Sequence, residues 1–422
     1  DIEMQSTCYI NHLKELLDEK QIDESQIDQA VYRILKLKED LGLFEDPYGK
    51  ANPDKEADVI FSKEHLDLAL KFAEESIVLL KNENVLPLSK KIKYCILGPY
   101  AETQRTNGAW AGHGDNNLNT KLVDQLKVKG IHIDFVKASL TPDYTQEELD
   151  IIKNADQVIL ALGENEYEAG EAHSKVDLHL PRAQQEFFDF AKSIHKKIIV
   201  LLYHGRPFFL TPIISADAIV DVFYLGSKAH EGIANVLSGD VNPSGKLPMS
   251  YPRHSGQVPI YYNQLSTGRP HKRGVYGEYD SHYLDEENDP LFPFGFGLSY
   301  AKFEYSNMKV SRNKMFLNDK INITVDVKNN SQIPGFEIVE LYINDKFSYY
   351  ARPVMELKGF KKVWINQWET KTIEFTITKD DLSYFGPNGE VLLESGEFEL
   401  MVGSSSEEVL NIRIEFFNGG KS

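Results

Sequence analysis

Four glutamates fall within the run Gly163-Glu164-Asn165-Glu166-Tyr167-Glu168-Ala169-Gly170-Glu171, directly after the apolar stretch Val158–Leu162. A carboxyl group whose pKa is raised by partial burial or by a neighbouring carboxylate can hold a proton near neutral pH, deliver it and take it back. The residue types alone also fit a solvated acidic loop, and Glu164, next to the apolar stretch, suits a structural role. A second segment, Asn107-Gly108-Ala109-Trp110-Ala111-Gly112-His113-Gly114, offers glycines that let backbone approach a ligand. It also offers the indole face of Trp110, for which a buried packing role is the alternative. The segment lacks the dinucleotide and Walker patterns, so phosphate binding is a weak reading. His204-Gly205-Arg206-Pro207 closes another apolar run, and Arg206 either orients the carboxylate loop or makes structural ion pairs and backbone contacts. His113, His204 and His230 show no zinc spacing, and no GxSxG elbow occurs.

These segments need a scaffold, and the hydrophobic pattern supplies one. Residues 9–20 and 25–41 carry helical periodicity, with Asp23 and Gln26 spaced as an N-cap pair, and a polar linker spans 46–57. An alternation follows. Helices at 63–81, 119–128, 145–154, 182–194 and 230–238 interleave with short apolar strands at 92–97, 131–135, 158–162, 198–203 and 218–223. Continuous apolar strands between amphipathic helices predict a mostly parallel sheet covered on both faces, with ligands beyond the strands' C-terminal ends. The carboxylate loop, the Trp110 segment and His204–Pro207 all follow such strands. Residues 241–300 read as loop. After Tyr300 the period becomes two, at 321–327, 337–343, 371–377 and 397–402, with a turn at 379–384, which predicts a β-sandwich of roughly seven strands. Trp364 and Trp368 fall in that region, where packing in the core or at an edge is the default.

The chain has 422 residues, enough for two or three domains, and 41% of them are hydrophobic, which excludes a disordered chain. Its net charge of -18 disfavours nucleic acid and anionic membranes as partners. The two cysteines, Cys8 and Cys95, form neither a disulfide framework nor a metal motif, and fit a cytoplasmic or a periplasmic protein. The opening Asp1-Ile2-Glu3-Met4 reads as the middle of something longer.

Seven stretches together resemble family 3 glycoside hydrolases. They are Ile27–Tyr48 (IDQAVYRILKLKEDLGLFEDPY), Ala73–Leu88 (AEESIVLLKNENVLPL), His204–Pro207 (HGRP), Gly239–Pro252 (GDVNPSGKLPMSYP), Tyr261–Pro270 (YYNQLSTGRP), Phe292–Tyr300 (FPFGFGLSY) and Arg352–Phe360 (RPVMELKGF). The family's architecture is a (β/α)8 barrel, an α/β sandwich domain and a fibronectin III-like domain. The resemblance therefore implies that residues 1–57 are barrel tail and linker, 58–300 the α/β sandwich domain, and 301–422 the fibronectin III-like domain. It implies a retaining exo-β-glycosidase of the β-glucosidase type acting on β-linked oligosaccharides or glucosides. The nucleophilic Asp would lie in a barrel that this chain does not contain.

Gly170-Glu171-Ala172 followed by Ser174-Lys175 resembles the family's acid/base loop, where the latter pair is more often Ser-Arg. That makes Glu171 the acid/base, with Glu168, Glu166 and Glu164 as alternatives. Trp110 and His113 become the substrate-binding residues. No cofactor and no metal are implied, and a homodimer is one possible assembly. Without its barrel, the chain is expected to be inactive, with Trp110 and the 163–175 loop at the surface. Glycines at both ends, and no apolar anchor but Tyr167, predict a mobile loop. The alternatives are an inert scaffold or weak sugar-binding module, and, on fold analogy alone, a flavodoxin-like nucleotide-binding protein.

Overall fold

The structure, a computed structural model, describes residues 1–49, 51–112, 114–137, 144–194, 197–267, 269, 277 and 279–419. Asp1–His65 and Leu66–Ser422 form two compact units. In the first, α1 (Cys8–Asp18) and α2 (Glu24–Asp40) follow the apolar periodicity. The backbone N–H of Asp23 donates to Gln26 Oε1 at 2.9 Å, as the capping pair requires. Neither helix has a buried residue, and Val31, Tyr32, Leu35 and Leu37 of α2 are exposed. The segment read as plain linker contains a 3-10 turn at Pro53–Lys55 and a short helix, α3 (Glu56–Val59).

The helix α4 (Lys63–Ser76) leads into the second unit. The helix expected to run to residue 81 stops at Ser76, and Val78–Asn82 is the strand β1. The apolar run Ile77–Leu80 has no polar face, so helical periodicity ends there, and all four residues are buried. The other strands match the apolar runs: β2 (Lys93–Leu97), β3 (His132–Phe135), β4 (Gln157–Gly163), β5 (Ile198–Tyr203) and β6 (Ala218–Asp221). Their order is β1-β6-β5-β4-β2-β3, parallel throughout except for β1, which pairs antiparallel with β6 at the edge. Alternate residues of each strand feed two cores. On β4, Ile159 and Ala161 face the core shared with α5 (Leu122–Val128) and α8 (Ala229–Ser238). Val158, Leu160 and Leu162 face that of α6 (Gln146–Asn154) and α7 (Arg182–Ile194). The chain runs from β2 out to β3 and returns on the other side as β4, so the order reverses between β2 and β4 and opens a crevice at their C-terminal ends.

After Tyr300 the structure is all β apart from one helical turn, α9 (Lys379–Leu382), among the described residues. One sheet has five strands in the order β11-β10-β15-β16-β8 and faces a second in the order β12-β9-β7 across a common core. Here β7 is Phe303–Val310, β8 Lys314–Phe316, β9 Ile321–Asn329, β10 Gly335–Asp345, β11 Glu356–Ile365, β12 Thr370–Ile377, β15 Gly396–Gly403 and β16 Val409–Phe417. A hairpin, β13 (Tyr384–Phe385) and β14 (Val391–Leu392), completes the set. Strands β7, β8, β11 and β16 escaped the period-two reading: β7 slips register between Ser306 and Lys309, β8 has three residues and β11 does not alternate, whereas β16 alternates cleanly over Leu410–Phe416 and was simply missed. Trp364 and Trp368 are 42% and 57% exposed, Trp364 packing edge-on against Phe336.

The sandwich meets the segment after α8 along a seam of aromatic and acidic side chains. Tyr262 stacks on Phe294 at 4.2 Å and packs edge-on to Tyr342. Glu337 and Glu340 of β10 are each 5% exposed. Glu337 accepts from Tyr305 at 2.7 Å and lies 3.7 Å from Lys246, while Glu340 accepts from Tyr342 at 2.5 Å. Gly295, at φ +79°, lets its turn close over Glu340, whose carboxylate a Cβ there would overlap. Burial pushes the Glu340 carboxyl up to about 7, and the charge of Glu337 adds to this while Tyr342 and Lys246 oppose it. Burial raises Glu337 as well.

A raised folded-state pKa means that the stabilisation is full below the unfolded value of 4.5 and is lost as pH rises through about 7. Between pH 5 and pH 8 the wild-type chain should therefore lose about 2–3 kcal/mol more stability than Glu340→Gln, measured by urea unfolding at both pH values. A wild-type-to-variant difference that stays constant with pH would show that this burial is not felt.

Candidate active site

The loops following β2, β4, β5 and β6 converge at the crevice. Gly163 ends β4 at φ +146°, where a Cβ would overlap the Tyr203 carbonyl, so only glycine fits. Its N–H donates to Gln184 Oε1 and its carbonyl accepts from Gln184 Nε2, both at 2.7 Å. Gly205 packs on Ala169 and Gly108 on Tyr224. A Cβ on Gly170 would lie 3.1 Å from Ala109 Cβ and 3.4 Å from Trp110 Nε1, which places the Trp110 segment against the carboxylate loop.

The four glutamates occupy different environments, which corrects the picture of a uniformly solvated loop. Glu164 is fully buried. It accepts from Gly205 N–H at 3.1 Å and Arg206 Nε at 3.2 Å, and lies 3.3 Å from Lys175 Nζ. Tyr224 donates to its carbonyl at 2.6 Å. Glu166 is also buried and pairs with Arg105, whose guanidinium additionally donates to Tyr167 Oη at 2.9 Å. Glu168 is half-buried, receives Lys175 Nζ at 2.7 Å and closes a cap with the N–H of Asn165 at 3.0 Å. Burial pushes its carboxyl up, but the bonds from Lys175 and Asn165 and the charges of Lys175 and Arg206 outweigh that and hold it below the ordinary value. Glu171 alone of the four is exposed.

Trp110 is 75% exposed, so it is not a buried packing residue. Tyr167, named as the loop's apolar anchor, is 69% exposed; the loop is instead held by charge and hydrogen bonds. His113 lies outside the described residues. Arg206 makes the ion pair and the backbone contacts considered for it, pairing with Glu164 and donating to the carbonyls of Glu168 and His173. His204 is buried among Phe208, Phe223 and Tyr251 with Nε2 2.8 Å from Asp221, which also accepts from Tyr251. His230 Nδ1 donates to the Thr120 carbonyl, 2.6 Å away, and burial lowers its pKa. Among the described residues no group of three metal-ligating side chains gathers, and no helix is long and apolar enough to cross a membrane. Arg105, Tyr224 and Gln184 were missed from sequence. Arg105 could have been found, since it shares the strand-end loop of Trp110, whereas Tyr224 and Gln184 show no sequence signal. Chemically, the crevice presents one solvent-facing carboxyl beside an exposed indole, with the neighbouring acids engaged by cations.

Residues 77–300, more than half the chain, match the model of the glycosyl hydrolase family 3 C-terminal domain, and residues 337–406 that of the fibronectin type III-like domain. The chain is 34% identical to a periplasmic beta-glucosidase of Salmonella typhimurium, an alignment covering 97% of this chain and 58% of that protein. A beta-xylosidase of Formosa agariphila is likewise 34% identical, over 95% of this chain and 57% of its own length. The crystal structure of a beta-glucosidase from Listeria innocua in complex with isofagomine superposes with a TM-score of 0.88 at 37% identity, covering 98% of this chain and 59% of that one. The chain thus spans under two thirds of the length of the relatives it matches. With its α/β domain and its fibronectin III-like sandwich both matched, the chain belongs to glycoside hydrolase family 3.

Proposed function

We propose that this chain supplies the acid/base loop and one wall of the sugar site of a retaining exo-β-glycosidase that removes terminal β-D-glucosyl or similar residues. The observation that carries this reading is the position of Glu171. It is the exposed glutamate of the strand-end loop, beside the exposed ring of Trp110, at the crevice where the strand order reverses. Glu171 protonates the leaving oxygen and later activates water, while Trp110 stacks on the sugar's C–H face. The nucleophilic carboxylate comes from a barrel outside this chain, and the exposed apolar side chains of α2 suit burial against such a partner. On this reading residues 58–300 and 301–422 are the two C-terminal domains of that enzyme.

Two outcomes are expected. The 422-residue chain alone should not turn over nitrophenyl β-glucoside, because a general acid without a nucleophile has no covalent route. Robust turnover would overturn the division of labour. Joined to its barrel, Glu171→Ala should lower kcat/KM for poor leaving groups by roughly 10²–10⁴-fold. It should leave glycosyl-enzyme formation from activated leaving groups nearly intact, and azide should rescue the second step. A leaving-group series run on Ala variants at positions 164, 166, 168 and 171 checks this, and leaving-group dependence at another position would move the role there.

A further inference from the structure

The stretch Glu168–His173 is tied at both ends to one side chain. Arg206 Nη2 donates to the carbonyl of Glu168 and, at 2.8 Å, to that of His173. Its Nε lies 3.2 Å from the Glu164 carboxylate. Inside the bracketed stretch the backbone reverses twice, at Gly170 (φ +106°) and Ala172 (φ +60°). Glycine adopts such a conformation freely. An alanine is strained there and stays only where its surroundings over-determine it. Glu171 sits between the two reversals, exposed at the apex of a closed lobe.

We infer that Arg206 is a positioning residue that aims the Glu171 carboxyl by holding the backbone on both sides of it. This rests on reading Glu171 as the acid/base. Arg206 touches no substrate; it acts through the lobe. Its own direction is fixed by Glu164, because the adjacent N–H of Gly205 binds the same carboxylate at 3.1 Å, and Lys175 flanks it at 3.3 Å. The planar guanidinium fork sends Nε to the carboxylate and Nη2 to the two carbonyls at once, a geometry no ammonium reproduces. The rival account makes Arg206 only the counterion that lets Glu164 be buried, and a lysine would satisfy that role.

The test compares Arg206→Lys with wild type by amide hydrogen exchange on the 422-residue chain and by a leaving-group series in the barrel-bearing enzyme, with Glu171→Ala as reference. Amides of residues 169–173 should exchange about tenfold faster while β4 and β5 keep their protection. With poor leaving groups kcat should fall roughly 10–100-fold at nearly constant KM, while activated leaving groups are little affected. That is the Glu171→Ala pattern at smaller amplitude. Exchange and turnover like wild type would overturn the inference in favour of the counterion, and so would a loss equal across all leaving groups. If Arg206→Lys loosens the lobe but Glu171→Ala shows no leaving-group dependence, the acid/base reading has failed and the positioning role falls with it.

Discussion

The carboxylate of Glu164 is withdrawn from water just past the end of β4, where a bare charge would be intolerable. The crevice is organised around meeting that demand. Arg206 and the N–H of Gly205 reach it from the loop after β5, Lys175 folds back from the far end of its own loop, and Tyr224 comes from beyond β6 to the Glu164 carbonyl. Two strand-end loops are therefore joined at one buried anion, and a third is joined to the same residue through its backbone carbonyl. Arg105 does the same for a fourth by pairing with Glu166. The acidic run therefore divides by depth, the inner carboxylates holding the structure together and the outermost facing the crevice.

A second buried acidic cluster ties the sandwich to the α/β portion, with a different balance. Glu337 and Glu340 have one lysine between them and rely on tyrosine hydroxyls, whereas Glu164 is flanked by two cations. The seam thus carries acid short of compensating charge, and burial raises both of its carboxyls.

Most of the architecture was legible in the sequence because the sheet strands are short and mostly apolar and the helices are amphipathic. The strand at Val78–Asn82 was read as helix because nothing marks the break between Ser76 and Ile77 except the loss of a polar face. Sandwich strands such as β11, with lysines and aromatics exposed along an edge, do not alternate cleanly. At the site, the family motif brought attention to Glu171, and strand-end position brought it to the whole loop. What the sequence could not disclose was depth. Glu164, Glu166, Glu168 and Glu171 are chemically equivalent letters, and only the fold separates them by the cations that Arg105 and Arg206 deliver from distant positions and Lys175 from the end of the same loop. Tyr167 looked like an anchor because it is apolar, yet its hydroxyl bonds to Arg105 at the surface.

The Gln184 side chain joins the first helical turn of α7 to both the N–H and the carbonyl of Gly163. An amide that engages both the N–H and the carbonyl of one residue acts as a mortise joint: it resists sliding along the strand and rotation about it. Helix and strand end therefore move as one body, and the acidic loop springs from a fixed fulcrum. Any adjustment of the lobe to an incoming ligand must be taken up beyond that fulcrum, in the few residues between Asn165 and Lys175, while the sheet beneath stays still.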